Sequence, residues 1–124
     1  YKRQPLAQGM LSEKYLKGIP KISRANQTIT SLDKKLITKR NIQIIQELNM
    51  IAKNRGQSLS QMAIAWVLNN KIITSALIGV RNTKQLLENV HALENLNFSK
   101  EELKLIDKKP LDGGINIWAQ SSSF

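Results

Sequence analysis

The stretch from Leu77 to Val90, LIGVRNTKQLLENV, carries the residue types best suited to hold an anion. Gly79 lets the backbone turn sharply or approach a ligand closely. Asn82 is a good helix N-cap, and Arg81 stands beside the helix start. The first-turn N–H groups of such a helix are free and lie at the positive end of its dipole. A phosphate there would accept backbone N–H bonds and a guanidinium fork together. Gln85, Glu88 and Asn89 recur at steps of three and four, on a polar face opposite Leu86, Leu87, Val90 and Leu93. Two readings of that face stay open. It reaches further parts of a nucleotide, or Gln85 closes a capping box while Glu88 and Asn89 are simply hydrated.

Other chemistries have little to stand on. The chain has no cysteine, which removes disulfides and thiolate metal sites and fits a reducing cytoplasm. A single histidine, His91, cannot build a metal site and reads as a surface residue. Net charge is +10, from 19 Lys and Arg against 9 Asp and Glu. The cations are scattered as pairs, Lys34-Lys35, Lys39-Arg40 and Lys108-Lys109, with no longer block. That pattern describes a solvated lysine-rich surface and counts against a basic nucleic-acid-binding helical module, the least favoured alternative. No apolar run approaches the ~20 residues of a membrane span, and YKRQPLAQGM has no apolar core of a signal peptide.

The elements that must position these residues follow from periodicity. A length of 124 residues allows one domain with one core. Residues 1–37 hold Pro5, Gly9, Gly18 and Pro20 and read as a long loop, with a helical turn near Ser12–Leu16. From Thr38, Asn41, Ile45, Leu48 and Ile51/Ala52 fall at helix spacing, and Gly56 after Arg55 stops the helix. SLSQ, Ser58–Gln61, has the spacing of a capping box and opens a helix with Met62, Ala63, Trp66 and Val67 on one face, ended by Asn69-Asn70. These two helices occupy 38–70. IITSALIG, Ile72–Gly79, is short, apolar and partly β-branched, and reads as a buried parallel strand. The Asn82-capped helix completes 72–94. SKEE, Ser99–Glu102, opens a last helix through Leu103 and Ile106 that Pro110 stops, and an irregular tail completes 98–124. Four helices and one buried strand do not make a free-standing domain, because a lone strand leaves its backbone groups unpaired. The missing strands are expected upstream in a longer chain or in another copy, and a start at Tyr1 points the same way.

Three stretches, in order, carry a resemblance. PLAQGMLSEKYLKGIPKISRA, Pro5–Ala25, resembles the aldo-keto reductase pattern after the seventh barrel strand, of the form PLAxGxLxGKY…GIPxxSRA. GQSLSQMAIAWVLNN is similar to that family's penultimate helix. LIGVRNTKQLLENV is similar to its eighth strand and following helix, with the Q-L-x-E-N signature, and INIWAQSSSF in the tail fits some members. The likeness runs over residues 5–108 and points to the branch of glyceraldehyde-3-phosphate reductases and potassium-channel beta subunits.

The resemblance implies an α/β fold, the C-terminal fragment of a (β/α)8 TIM barrel, mostly helical as it stands. It implies reduction of aldehydes and ketones with NADPH. Active sites of such barrels lie at the C-terminal ends of the strands, often with a phosphate site after strands 7 and 8. By resemblance, Pro5, Leu6, Ala7, Gln8 and Gly9 form the strand-7 loop along the cofactor. Ser12, Lys14, Tyr15 and Arg24 fall where the family clamps and covers the pyrophosphate. Gly79, Arg81, Gln85, Glu88 and Asn89 fall where it holds the adenosine and its 2′-phosphate. The family often has Ser at the position of Arg81, so phosphate contact by Arg81 rests on its chemistry. Glu13 replaces a common Gly, and Tyr1-Lys2-Arg3-Gln4 stands where an apolar strand end is expected.

The family's catalytic Asp, Tyr, Lys and His all lie upstream of this segment, so no catalytic residue is assigned here. Lys14-Tyr15 belongs to the cofactor loop. A full barrel needs about 250 residues. The expectation is therefore an NADPH-binding portion of a reductase that is inactive by itself, whose whole protein acts on a small carbonyl substrate without nucleic acid or a membrane span. A homo-oligomer is compatible with it. The alternative is a regulatory subunit that binds nucleotide without turnover.

Overall fold

The computed structural model describes Pro5, Leu6, Gly9, Leu11 and residues 38–108. Within these residues the ordered elements are α1 (Lys39–Asn54), α2 (Leu59–Leu68), α3 (Thr83–Val90), a 3₁₀ turn (His91–Glu94) and α4 (Lys100–Asp107). The expected turn at Ser12–Leu16, the stop at Pro110 and the tail lie outside them.

Each helix begins where its cap residue stands. The Thr38 side chain accepts from the Asn41 N–H at the start of α1. Ser58 and Gln61 form a reciprocal capping box on α2, and Ser99 and Glu102 form another on α4. The end of α1 is a Schellman motif. The Gly56 N–H donates to Lys53 O and the Gln57 N–H to Ala52 O. Gly56 takes φ +70°, a left-handed conformation in which a side chain would cost roughly 1–2 kcal/mol.

The core centres on α2. Leu59, Met62, Ala63, Ile64, Ala65 and Val67 are all buried, so this helix is covered nearly all round rather than on the one expected face; Trp66 is only half-buried. On one side lies α1, which buries a narrow stripe of Asn41, Ile45, Asn49 and Ala52. On the other lie α3 and the 3₁₀ turn, whose Ala92 is fully buried. The last helix, α4, buries Ile106 alone.

Two expectations about burial are corrected. Residues 73–80 form no strand among the described residues, and Ile72 and Leu77 are 89% and 65% exposed. The composition suits a buried strand, but a ladder needs a neighbour, and none is present among the described residues. In α3 the reading of Asn89 as simply hydrated also fails. Leu86, Leu87, Val90 and Leu93 are exposed, while Asn89 is 7% exposed. The apolar residues are about half covered, at 43–57% exposure, and Asn89 is the buried residue of α3, which packs with α2.

Arg55 ties the end of α1 to the segment leading into α4. Its side chain is 2% exposed. Nε donates to Gln57 Oε1 at 3.0 Å, Nη1 to Glu102 Oε2 at 2.8 Å, and Nη2 to Asn95 O at 3.3 Å and Asn97 O at 3.0 Å. The guanidinium lies 3.7 Å from the Phe98 ring centroid. Burial tends to raise the Glu102 carboxyl. The Ser99 N–H, the hydrogen bond and charge of Arg55, and the Ser99 side chain outweigh it and hold the group below its ordinary value.

Candidate functional site

Two segments carry the expected ligand-binding residues, and the structure attaches both to the first turn of α2. The first is the turn at Pro5–Leu11. Leu6 O accepts from the Gly9 N–H at 2.8 Å and from the Leu11 N–H at 3.3 Å, which closes the turn. Gly9 takes φ +96°, so glycine is required by the backbone here. Pro5 is buried, and Leu6 and Gly9 are half-buried. The turn is anchored by Ser60, whose hydroxyl donates to Leu11 O at 3.2 Å.

The second segment is the approach to α3. Asn82 caps the helix, its Oδ1 accepting from the Gln85 N–H at 2.9 Å. The Gln85 side chain folds back, and its Oε1 accepts from the Arg81 N–H at 2.9 Å. Of the two readings of Gln85, the structure realises capping, with the bond made one residue before the N-cap. Gln61 reaches this segment from α2. Its Nε2 donates to Glu88 O at 2.8 Å, while its Oε1 accepts from the Ser58 N–H at 2.8 Å to close the α2 capping box.

Gly79 differs from the other two described glycines. Its φ lies outside the left-handed region, whereas a Cβ built on any of the three would meet nothing within 4 Å. The expected sharp turn is therefore not what needs glycine there. What remains is the other half of the reading, open space in front of the backbone.

The site has the character of an anion receptor. The first turn of α3 contains no acidic residue. Its Thr83 and Lys84 N–H groups have no acceptor among the described residues, since Asn82 serves those of Gln85 and Leu86. Arg81 and Lys84 are exposed, and neither side chain has a partner among the described residues. A lysine in a first turn is unfavourable against the helix dipole, so this end of the helix is electropositive without internal compensation. Asn89 is buried, 7% exposed. Glu88 is exposed. These features fit a phosphate-bearing nucleotide. Free N–H groups and cations take the charge, and the Asn89 amide lies two turns along the helix.

Ala7, Gln8, Ser12, Lys14, Tyr15 and Arg24 lie outside the described residues. His91 is on the surface, with Nδ1 2.6 Å from Glu94 Oε1, both side chains exposed. Among the described residues no cluster of His, Cys, Asp or Glu suits a metal ion, and no helix is long and apolar enough to cross a membrane. Periodicity did not single out Ser60 as a site residue, and it read Gln61 only as a capping residue. Nothing in their spacing reveals bonds made to Leu11 and Glu88.

Comparison with known proteins gives one consistent answer. A family model described as Aldo/keto reductase family matches residues 1–110. Two proteins named L-glyceraldehyde 3-phosphate reductase, from Escherichia coli O157:H7 and Escherichia coli strain K12, are each 46% identical over 121 residues, 95% of this chain and 35% of theirs. A Schizosaccharomyces pombe protein, whose name proposes a voltage-gated potassium channel beta subunit, is 37% identical over 108 residues, 84% of this chain and 31% of its own. The chain thus spans about a third of the length of these relatives.

Proposed function

The chain belongs to the aldo/keto reductase family, and from that premise we propose that it is the NADPH-binding, C-terminal portion of an oxidoreductase barrel. The reaction of the whole protein is reduction of a small aldehyde or ketone, and the names of the Escherichia coli relatives point to glyceraldehyde 3-phosphate as substrate. The observation that carries this reading is the start of α3, where the free first-turn N–H groups lie beside Arg81 and Lys84.

In this reading the protein binds and orients, and the nicotinamide, when bound, supplies the hydride. Arg81, Lys84 and the N–H groups of Thr83 and Lys84 hold the 2′-phosphate end. Gln85, Glu88 and Asn89 line the adenosine side, with the Gln85 oxygen engaged by the Arg81 N–H. Pro5 to Gly9, with Ser12, Lys14, Tyr15 and Arg24, run along the pyrophosphate and cover it. The proton donor and its tuning lysine belong to the part of a longer protein that precedes these motifs, so the 124 residues bind cofactor without turnover. A second reading, a regulatory subunit that holds nucleotide and a partner, is favoured by the name of the Schizosaccharomyces pombe relative alone.

Calorimetric titration of the chain with NADPH, NADH and inorganic phosphate tests the proposal. Saturable NADPH binding, tighter than NADH and competed by phosphate, is the expected result. Absence of nucleotide binding by a chain that circular dichroism shows to be helical overturns it. Consumption of NADPH with glyceraldehyde 3-phosphate by the purified chain overturns the assignment of catalysis to the rest of a longer protein.

A further inference from the structure

The two halves of the candidate site are far apart in the chain, yet neighbouring residues of α2 hold both. Ser60 bonds to Leu11 across 49 positions, and Gln61 bonds to Glu88 across 27. We infer that Ser60 and Gln61 are positioning residues for the nucleotide site, a two-pronged clasp on the first turn of α2 that sets the Pro5–Leu11 turn against α3. The inference rests on the proposed cofactor role of those two segments.

The geometry gives Gln61 two separable tasks. Its Oε1 accepts from the Ser58 N–H and so belongs to the capping box of α2. Its Nε2 donates to Glu88 O, in the middle of the row Gln85, Glu88, Asn89. A capping residue needs only the oxygen, and glutamate serves as well as glutamine in that role. The amide nitrogen does something the cap does not require. It fixes the translation and rotation of α3 on α2, and with it the placement of Arg81, Lys84 and Asn89. The Ser60 hydroxyl does the equivalent for the other segment. The core side of α2 is occupied by Leu59, Met62 and Ala63, so the half-buried Ser60 and Gln61 are the residues of this turn left to reach outward. A ligand spanning the turn and α3 needs both segments held in one relative position. Polar bonds of defined direction do this where sliding apolar contacts would not.

Gln61→Glu separates the tasks. It keeps the acceptor for the Ser58 N–H and replaces the donor to Glu88 O with a carboxylate oxygen, which that carbonyl repels. The full chain and its Gln61→Glu and Ser60→Ala variants are compared by NADPH calorimetry and by amide exchange read separately over α2 and α3. The expected result is about fivefold to tenfold weaker NADPH binding in Gln61→Glu, faster exchange in Thr83–Val90, and unchanged exchange in Leu59–Leu68. Ser60→Ala should weaken NADPH binding with exchange of α3 unchanged, because its prong holds the other segment. NADPH binding that neither variant alters overturns the inference and leaves the cofactor assignment standing. Equal acceleration of exchange in α2 and α3 by Gln61→Glu also overturns it, since that marks a general stability role. No NADPH binding by the unaltered chain overturns the cofactor assignment and this inference with it.

Discussion

Arg55→Met is the most severe single change the structure anticipates outside α2. The substitution keeps most of the aliphatic stem and removes the guanidinium. Four acceptors are affected: Gln57 Oε1, Glu102 Oε2, Asn95 O and Asn97 O. Asn95 O keeps a bond from Gln57 Nε2 at 3.0 Å, and Glu102 Oε2 keeps one from the Ser99 N–H at 2.7 Å. Asn97 O and Gln57 Oε1 lose the Arg55 donor that serves them, and the contact with the Phe98 ring is lost. Glu102 is left 28% exposed and still bonded to the Ser99 N–H, so the loss is that of the stranded acceptors and the ring contact, about 2–3 kcal/mol. Removing the other partner is different. Gln in place of Glu102 still accepts a hydrogen bond, and the guanidinium keeps its bonds to Gln57 Oε1, Asn95 O and Asn97 O. Glu102→Gln should therefore cost roughly 0.5–1.5 kcal/mol. Urea denaturation followed by far-ultraviolet circular dichroism measures both. At a slope of roughly 2 kcal/mol per molar urea, Arg55→Met lowers the midpoint by about 1–1.5 M and Glu102→Gln by about 0.5 M. Equal midpoints for the two variants would refute the argument, because the asymmetry follows from how many acceptors each change strands.

Four further outcomes follow from the same geometry. Gly79→Ala, which meets no atom within 4 Å and no strained φ, should leave the urea midpoint unchanged or slightly raised and weaken NADPH binding about tenfold, as read by calorimetry. Arg81→Gln combined with Lys84→Gln should weaken NADPH more than NADH and flatten the salt dependence of binding, because it removes charge that faces a phosphate. Asn49→Leu should stabilise the chain by about 1 kcal/mol in the same denaturation assay, since Asn49 Oδ1 is buried without a partner among the described residues. Acid should weaken the attachment of α4. The Glu102 carboxyl sits below its ordinary value of 4.5 in the folded chain, so its contribution is present above that pH and is lost as pH falls through the lowered value. Amide exchange in Lys100–Asp107 measured down a pH series, corrected for intrinsic rates, should accelerate there in the natural chain and show no such step in Glu102→Gln.

The residue types and short spacings of this protein determined everything that is decided within one turn of helix. Thr38, Ser58, Asn82 and Ser99 each cap the helix that periodicity assigns to them, and Gly56 ends α1 with the left-handed φ its position calls for. These features are legible because a capping bond joins residues three apart, and the partner can be read from the sequence. The family was legible for a related reason, since its motifs are short runs that survive in order.

What only the tertiary structure decided involves partners that spacing does not encode. Helical periodicity divides α3 into a polar and an apolar side but does not say which side meets α2. The structure turns Asn89 inward and leaves Leu86, Leu87 and Val90 outside, because burial depends on which surface is available to receive a face. The composition of Ile72–Gly79 suits a strand, yet a strand exists only when a second backbone accepts its hydrogen bonds. Arg55 reads as an ordinary residue before a stop, and it becomes a buried clasp through partners some forty positions away. Ser60 and Gln61 likewise acquire a role in joining the two halves of the candidate site only once the chain has brought Leu11 and Glu88 to the first turn of α2. Local bonds are written in the order of residues, whereas long-range ones are set by which surfaces remain to be covered when the helices pack.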